Sequence, residues 1–279
     1  MHTIVLEGGL GNQLFMIFAV LGHAFKYNIP FYFNDTDIQL GSRRKTYWDT
    51  FFEPLRKFIK KESALQGSYV YREPNFHYSD IPAFPGDLHV KFIGYFQSYK
   101  YFDENKNSIF KLMNLDKFKK QVRDKMAGLV DWKTTVSMHF RMGDYKALPQ
   151  FHPILPLEYY KNALTRVQYN NDVQWTVLYF CEDEDFECVS EKIQELSRNF
   201  PRMTFERRSV FEEDWEEIIA MSLCRHNIIA NSSFSYFGAY FNTQKDVQVY
   251  YPSVWLGPAF AAKDTTQMCP PHWIKVITQ

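Results

Sequence analysis

Four segments of this sequence place polar or charged side chains directly after a predicted strand, where open α/β sheets bind ligands. The first is Gly8-Gly9-Leu10-Gly11-Asn12-Gln13-Leu14, between a β-branched run and a helical pattern. Glycines at such a turn let backbone amides approach an anion at a helix N-terminus. The segment is close to a dinucleotide-binding fingerprint, and Asp35 lies near the position of a ribose-binding carboxylate. However, Leu14 stands where that fingerprint needs Gly or Ala, so a purely structural turn stays open as the alternative.

The second segment, His139-Phe140-Arg141-Met142-Gly143-Asp144-Tyr145, follows the predicted strand 135–139. Side chains alternate along a strand, so we expect His139 and Arg141 to share a face. A permanently charged, bidentate Arg at this position suits a diphosphate. Asp144 is placed either to orient Arg141 or to cap the next segment. The alternative is a surface ion pair beside a buried histidine.

The third segment runs from Asn231 through Ser232, Ser233 and Phe234, after the apolar run Ile228–Ala230. Ser or Asn at the start of a helix leaves amides and hydroxyls directed at the strand ends. The segment therefore predicts a second phosphate-binding helix terminus, with plain N-capping as the alternative.

The fourth segment, Cys181-Glu182-Asp183-Glu184-Asp185, follows a strand that ends at Phe180. Acidic residues at a strand end can hold Mg²⁺ or hydrogen-bond a nucleoside. They are also typical of a solvated loop before a helix, because acids favour a helix start. We expect no metal here.

Strands and helices alternate around these segments in a way that predicts an α/β fold. The first 35 residues form a β-α-β pattern, with a helix over about 13–27 and a further strand expected at 89–96. Residues 35–85 read as loops and short helices. From residue 134 we predict strands at 135–139, 174–180, 203–205, 228–230 and 247–250, and helices near 157–168, 185–198, 212–224 and 233–242. This alternation predicts two Rossmann-like domains, residues 1–130 and residues 131–279, with a cleft between them.

Composition narrows the function classes. The 279 residues carry 32 basic and 32 acidic side chains, so no basic excess indicates nucleic-acid binding. The 4 cysteines form no CxxC pair, which argues against structural zinc and a disulfide framework. We find no signal peptide and no membrane span, and expect a soluble, cytoplasmic protein. Aromatic residues reach 18%, so a non-catalytic glycan-binding module is one alternative function.

Taken together, the segments resemble the α-1,2-fucosyltransferases of glycosyltransferase family 11. The opening at 8–15 is similar to the N-terminal loop of that family, and residues 139–145 match its donor-binding motif except that Met142 replaces a second Arg. Phe180–Asp183 resembles the family's Phe-Ser-Asp-Asp segment, with Cys-Glu in place of Ser-Asp. The most extensive similarity covers 221–235, and Tyr251–Trp255 resembles the Pro-x-x-Trp motif that ends the family pattern.

The resemblance implies an inverting, metal-independent enzyme of GT-B fold that transfers fucose from GDP-fucose to a glycan acceptor, forming an α-1,2 link to a terminal β-galactoside. It implies that residues 131–279 hold the donor and that residues 1–130 form the acceptor side. By position, Arg141 would bind the diphosphate, helped by residues 231–234 and by Gly9 and Gly11. Asp183 would lie near the guanosine, and Asn12 would reach across the cleft towards the reacting sugar.

Two points stay open at this stage. His139, Glu7 and Asp144 are all candidates for a weak general base, and the sequence does not choose among them. The rival function is an NAD-dependent oxidoreductase, which rests on Gly9, Gly11 and Asp35. We find no counterpart of the membrane anchor of animal relatives, so the sequence resembles bacterial or viral members more. A viral member would act in the host cytoplasm.

Overall fold

The computed structural model describes residues 1–34, 45–60, 68–169 and 173–278. The chain divides into two compact units, Met1–Phe118 with Lys263–Pro270, and Lys119–Ala262 with Pro271–Gln279. This division differs from the junction expected at residue 130. The reason lies in one helix, because Phe118 packs on Phe51 of the first unit while the Lys119 ammonium donates to the Phe241 carbonyl of the second, at 2.6 Å.

The first unit is built on a small parallel sheet. The strands of this unit are β1 (His2–Ile4), β2 (Phe33–Asn34), β3 (Ile59–Lys60), β4 (Tyr69–Arg72) and β5 (Val90–Ile93). The helices of this unit are α1 (Leu10–Tyr27), α2 (Lys106–Leu112) and the start of α3 (Leu115–Lys125). β1, β5 and β4 pair in that order, and β2 pairs with β3. Helix α1 buries almost its whole length from Leu10 to Ala24, so this apolar helix forms the centre of the unit's core.

The second unit contains a six-stranded parallel sheet in the described part of the chain, in the order β11-β10-β9-β6-β7-β8. The strands are β6 (Thr135–His139), β7 (Thr176–Phe180), β8 (Thr204–Glu206), β9 (His226–Ile228), β10 (Val249–Pro252) and β11 (Ile274–Val276). The helices are α4 (Leu157–Gln168), α5 (Phe186–Asn199), α6 (Asp214–Leu223) and α7 (Ser233–Tyr240). β6 is central, between β9 and β7, and its residue His139 pairs with Phe180.

The alternation expected along β6 is present in the core. Val136, Met138, Phe140 and Met142 are all buried in one apolar cluster that includes residues of α4 and α5. Met142 is only 6% exposed and therefore serves packing. The α/β prediction is confirmed, and β6 and α4 have the predicted bounds. The expectation of loops and short helices over 35–85 is corrected by strands β3 and β4, and none of the described helices combines the length and apolar character needed to cross a bilayer.

Candidate active site

The C-terminal edge of the six-stranded sheet collects three of the four predicted segments. β6 ends at His139, β7 at Phe180 and β9 at Ile228, and parallel strands end at the same edge. The Phe140 amide still donates to the Phe180 carbonyl at 2.8 Å, which extends the register past the end of β6. Arg141 and Glu182 follow as cross-strand neighbours, so two residues 41 positions apart in the chain meet at this edge.

Arg141 is the centre of this edge. Its Nη1 donates to Glu182 and its Nη2 donates to Asp144, while its guanidinium carbon lies 5.1 Å from the centre of the Tyr145 ring. The Arg141 side chain is 16% exposed. Burial acts to lower the pKa of Arg141, but Glu182 and then Asp144 outweigh it, and the pKa is raised. A permanent cation is thus fixed at the strand end.

His139 lies beneath this edge and is neutral. Its ring packs against Phe234 with the ring centres 5.6 Å apart, and its carbonyl accepts from the Tyr160 hydroxyl at 3.2 Å. Within the described residues, its buried Nδ1 has no hydrogen-bond partner. Burial, with a smaller effect from Arg141, lowers the pKa of His139 to about 3. His139 is therefore a buried, uncharged imidazole with one unsatisfied ring nitrogen.

Tyr145 connects Arg141 to the start of α7, a link that the sequence analysis did not anticipate. Its ring lies under the guanidinium, and its hydroxyl donates to the Asn231 carbonyl at 3.0 Å. The ring also stacks on His152, with centres 4.7 Å apart. Burial raises the pKa of Tyr145 to about 12, so the phenol keeps the proton that it donates. Its place four residues after Arg141 was the available signal, because a turn brings i and i+4 together.

Residues 231–234 form the N-terminus of α7. The Ser232 hydroxyl accepts from the Phe234 amide at 3.3 Å, so plain N-capping is present for this serine. Asn231 is almost fully buried, and its Nδ2 donates to the carbonyls of Pro153 at 2.9 Å and Trp255 at 3.3 Å. Its Oδ1 has no partner among the described residues. Ser233 opens the helix beside the capped serine.

The acidic segment after β7 is held by cations. Glu182 pairs with Arg141, Asp183 pairs with Arg207, and Asp185 pairs with Lys146 at 2.6 Å. Asp185 also accepts from the Gly143 amide at 2.7 Å. Within the ranges that the structure describes, no group of three or more His, Cys, Asp or Glu residues could hold a metal ion.

Asp183 and Arg207 mark the β7–β8 side of the edge. The Asp183 side chain is 92% exposed, and the Arg207 guanidinium carbon lies 5.0 Å from the centre of the Phe186 ring. Glu217 of α6 is electrostatically coupled to both. Burial, then Asp214, raises the pKa of Glu217 to about 7, although Arg207 opposes the shift. No local pattern indicates the shifted pKa of Glu217, because its main cause is burial, which the tertiary structure decides.

The Gly-rich segment lies at the C-terminal edge of the small sheet in the first unit. Gly8 has a φ of +75°, and an added side-chain carbon there would lie 2.6 Å from the Asn12 amide nitrogen. Gly9 is the N-cap of α1 with open space around it, and Gly11 is buried in the first turn. Asn12 Oδ1 accepts from Gln97 Nε2 at 2.9 Å. Asp35 of the predicted dinucleotide pattern lies outside the described residues.

Glu73 organises the turn that carries Gln97. One carboxylate oxygen accepts from the amides of Tyr95 at 2.9 Å and Phe96 at 3.0 Å, and the other has no hydrogen-bond partner within the described ranges. Gly94 has a φ of +148°, and any side chain there would collide with Glu73. Burial raises the pKa of Glu73 to about 7. No local pattern indicates that Glu73 is partly buried, because residues 35–85 are expected to form loops and short helices.

The structure thus brings His139, Arg141, Asp144 and Phe234 together with Asn231, Ser232 and Ser233 in the second unit. Asp183 belongs to the same sheet edge but pairs with Arg207 on its β7–β8 side. Gly9, Gly11 and Asn12 form a separate group in the first unit.

Solved structures support the fold. A mutant of Arabidopsis thaliana FUT1 in complex with GDP superposes with a TM-score of 0.54 at 14% identity, covering 96% of this chain and 74% of that chain. The E. coli ADP-heptose lps heptosyltransferase II gives a TM-score of 0.51 at 8% identity, covering 99% of this chain and 90% of that one. The GT-B-like class expected from the resemblance is confirmed at the level of fold.

Sequence relatives point to one enzyme class. The E. coli O-antigen biosynthesis glycosyltransferase WbnK is 32% identical over 51% of this chain and 44% of its own length. An E. coli alpha-1,2-colitosyltransferase is 28% identical over 67% of this chain and 62% of its own length. A Caenorhabditis elegans galactoside 2-alpha-L-fucosyltransferase is 32% identical over 52% of this chain and 42% of its own length. The matches therefore span about half the length of these relatives.

The family model of glycosyl transferase family 11 matches residues 52–276, which include the strand ends with Arg141, Glu182 and Asn231. That match covers most of the chain and the whole sheet edge described above. The chain belongs to glycosyl transferase family 11.

Proposed function

We propose that this protein transfers fucose from GDP-fucose to a sugar hydroxyl with inversion, forming an α-1,2 link to a terminal β-galactoside. The observation that carries the proposal is the link from Arg141 through Tyr145 to the N-terminus of α7. A fixed guanidinium and a helix N-terminus at one edge of the sheet suit a diphosphate leaving group. Family membership supports the same reaction class.

The donor would occupy the sheet edge of the second unit. Arg141 and the first amides of α7, with Ser232 and Ser233, would stabilise the charge that grows on the departing diphosphate. The buried His139, neutral because of its low pKa, would add a hydrogen bond without adding charge. Asp183 and Arg207 would border the nucleoside, on the β7–β8 side of the same edge.

We propose that transfer needs no divalent metal and no other cofactor. Glu182, Asp183 and Asp185 each have a basic partner, so these three carboxylates are ion-paired within the chain. Cationic side chains and a helix terminus can then do the electrostatic work that Mg²⁺ does in other nucleotide enzymes.

The acceptor would bind through the first unit, near Asn12 in the first turn of α1. The acceptor hydroxyl would attack the anomeric carbon as the bond to GDP breaks, and its proton would pass to a weak base. A pKa of about 3 makes His139 a poor base, which favours Glu7 or Asp144 for this role.

A colitose donor is the second candidate. The colitosyltransferase relative aligns with 67% of this chain, a larger share than either of the other two relatives. Fucosyl transfer is favoured because the C. elegans relative is a fucosyltransferase at 32% identity.

The deciding experiment is a thermal-shift panel followed by product analysis. GDP, GDP-fucose, GDP-mannose, UDP-galactose, NAD and free sugars are compared at equal concentration. We expect GDP and GDP-fucose to stabilise the protein most. Linkage analysis of the product on lactose should give an α-1,2-fucoside. Stabilisation by NAD alone would favour the oxidoreductase, stabilisation by sugars alone a glycan-binding module, and an α-1,3 or α-1,6 product would refute the linkage.

A further inference from the structure

The Glu182 carboxylate forms an ion pair with Arg141, the main cation of the proposed donor site. It follows β7 by two residues, as Arg141 follows β6, and the pairing of His139 with Phe180 makes the two residues cross-strand neighbours. Glu182 accepts from Arg141 Nη1, while Asp144 accepts from Nη2. Both terminal nitrogens of the guanidinium are therefore engaged by carboxylates of this chain.

The contact of Glu182 is shaped by the backbone beneath it. Gly143 has a φ of +32°, and a side-chain carbon on it would collide with Glu182 Oε2. The carboxylate thus rests directly on a residue that has no side chain. The neighbouring Gly143 amide is fixed by Asp185 at 2.7 Å, so the surface on which Glu182 rests is held in place.

The strand order places Glu182 and the N-terminus of α7 after the two different neighbours of β6. β6 lies between β9 and β7, α7 follows β9, and Glu182 follows β7. Glu182 therefore contacts Arg141 from the β7 side, and α7 follows the strand on the other side of β6. Asp144 differs, because it belongs to the short turn after Arg141 itself and its side chain is 55% exposed, against 36% for Glu182.

The charge balance at this point is unfavourable for an entering anion. Two cations, Arg141 and Lys146, face three carboxylates, those of Asp144, Glu182 and Asp185. A diphosphate that approaches Arg141 meets the Glu182 carboxylate at the same nitrogen. Like charges at such separations are repelled by about 1 kcal/mol or more near a protein surface.

We propose that Glu182 competes with the donor diphosphate for Arg141 and thereby sets the affinity of the donor site. The proposal rests on the proposed function, in which Arg141 binds the diphosphate. In the free protein Glu182 holds Arg141 on the β7 side, and the nucleotide displaces that carboxylate when it binds. Glu182 is a positioning residue, since it acts through Arg141.

The test is the Kd for GDP, measured by calorimetry on the full chain with EDTA present. The Glu182→Gln variant keeps the size of the side chain and removes its charge. We expect it to bind GDP about tenfold more tightly than the wild type. The matched control is Glu195→Gln, which removes a carboxylate paired with Lys161 on the exposed surface of α5, and its Kd should stay within about twofold of the wild type.

The double variant Arg141→Ala with Glu182→Gln separates competition from general repulsion. If Glu182 acts through Arg141, the gain should disappear in the Arg141→Ala background. A gain that persists there, or equal or weaker binding by Glu182→Gln, overturns the proposal. Equal GDP binding by wild type and Arg141→Ala would instead refute the donor site of the proposed function.

Thermal melting of each variant shows whether it is folded. Should Glu182→Gln fail to fold, Glu182→Asp carries the test, because it keeps the charge and withdraws it from Arg141 by one methylene. We expect about threefold tighter GDP binding for Glu182→Asp, and unchanged or weaker binding contradicts the inference.

Discussion

Gln97 donates a hydrogen bond of 2.9 Å to the Oδ1 atom of Asn12, although 85 positions separate the two residues. This contact fixes which way the Asn12 amide points, since its oxygen faces Gln97 and its nitrogen faces the backbone at Gly8. Gln97 in turn belongs to the turn that Glu73 holds through the amides of Tyr95 and Phe96.

Asn12 should affect turnover more than nucleotide binding. It belongs to the first unit, whereas the proposed diphosphate site belongs to the second. We expect Asn12→Ala to lower kcat by at least about tenfold and to leave the Kd for GDP within about threefold. Gln97→Ala, which removes only the orienting bond, should lower kcat less. A large loss of GDP affinity in Asn12→Ala would put the nucleotide on the Gly-rich turn instead.

Arg141 should be needed for the chemical step. Replacing it by Ala removes the fixed cation beside α7, and we expect a loss on the order of 10²–10³ in kcat. Arg141→Lys should recover only part of the rate, because an ammonium cannot form the bidentate fork. Arg166→Ala, an exposed arginine on α4, is the control and should keep full activity. A fully active Arg141→Ala enzyme would exclude this residue from the donor site.

Met142→Arg should impair stability before it affects donor choice. Met142 packs with Phe140 in the core cluster, so an Arg at this position would bury an unpaired charge. We expect a loss of about 3 kcal/mol or more in unfolding free energy, seen as a lower Tm. Met142→Leu, of similar volume, should lose less than about 1.5 kcal/mol. An unchanged Tm together with faster GDP-fucose turnover would show that the second family arginine belongs to the donor site.

Glu73 should make stability fall as pH rises towards neutrality. Its pKa is raised by burial from 4.5 to about 7, so the folded protein favours the protonated form. The stabilisation is complete below about pH 4.5 and is lost as pH rises through about 7. Glu73→Gln keeps an oxygen for the amides of Tyr95 and Phe96 and removes this titration.

The measurement for Glu73 is thermal unfolding of wild type and Glu73→Gln between pH 5 and pH 8. We expect the variant to gain on the order of 1–3 kcal/mol relative to wild type across that range. Glu104→Gln, at an exposed position of the same unit, should track the wild type. Parallel curves for wild type and Glu73→Gln would contradict the shifted pKa.

Activity should survive chelation. Because Glu182, Asp183 and Asp185 after β7 are paired with Arg141, Arg207 and Lys146, we expect the rate in EDTA to stay within about twofold of the untreated enzyme. The check is fucose transfer before and after EDTA, with Mg²⁺ and Mn²⁺ added back. An absolute requirement that metal restores would move the phosphate-binding role to the acidic segment.

The sequence by itself determined the elements whose signal is local. The alternation at Thr135–His139 and the helical period at Leu157–Gln168 predicted β6 and α4 with their observed bounds. The motif around Arg141 predicted a sheet-edge site. These features follow from side-chain direction along one element, which neighbouring residues specify.

The short strands escaped the sequence analysis. Tyr69–Arg72 is an edge strand with exposed side chains, and Ile274–Val276 is a three-residue strand defined by its pairing with β10. Tyr69–Arg72 has no core-facing period, and Ile274–Val276, whose Ile274 and Val276 pack on the core, is too short for its alternation to be recognised. Their conformation is decided by the strand next to them, which lies far away in the chain.

Only the tertiary structure decided which charges meet. The partners Arg141 and Glu182 lie 41 positions apart, and the bond from Tyr145 to Asn231 spans 86. The raised pKa values of Glu73 and Glu217 depend on burial by several elements at once. Sequence spacing shows which side chains share a face of one strand. The pairing of charges depends instead on strand order and register, which the packing of the whole sheet fixes.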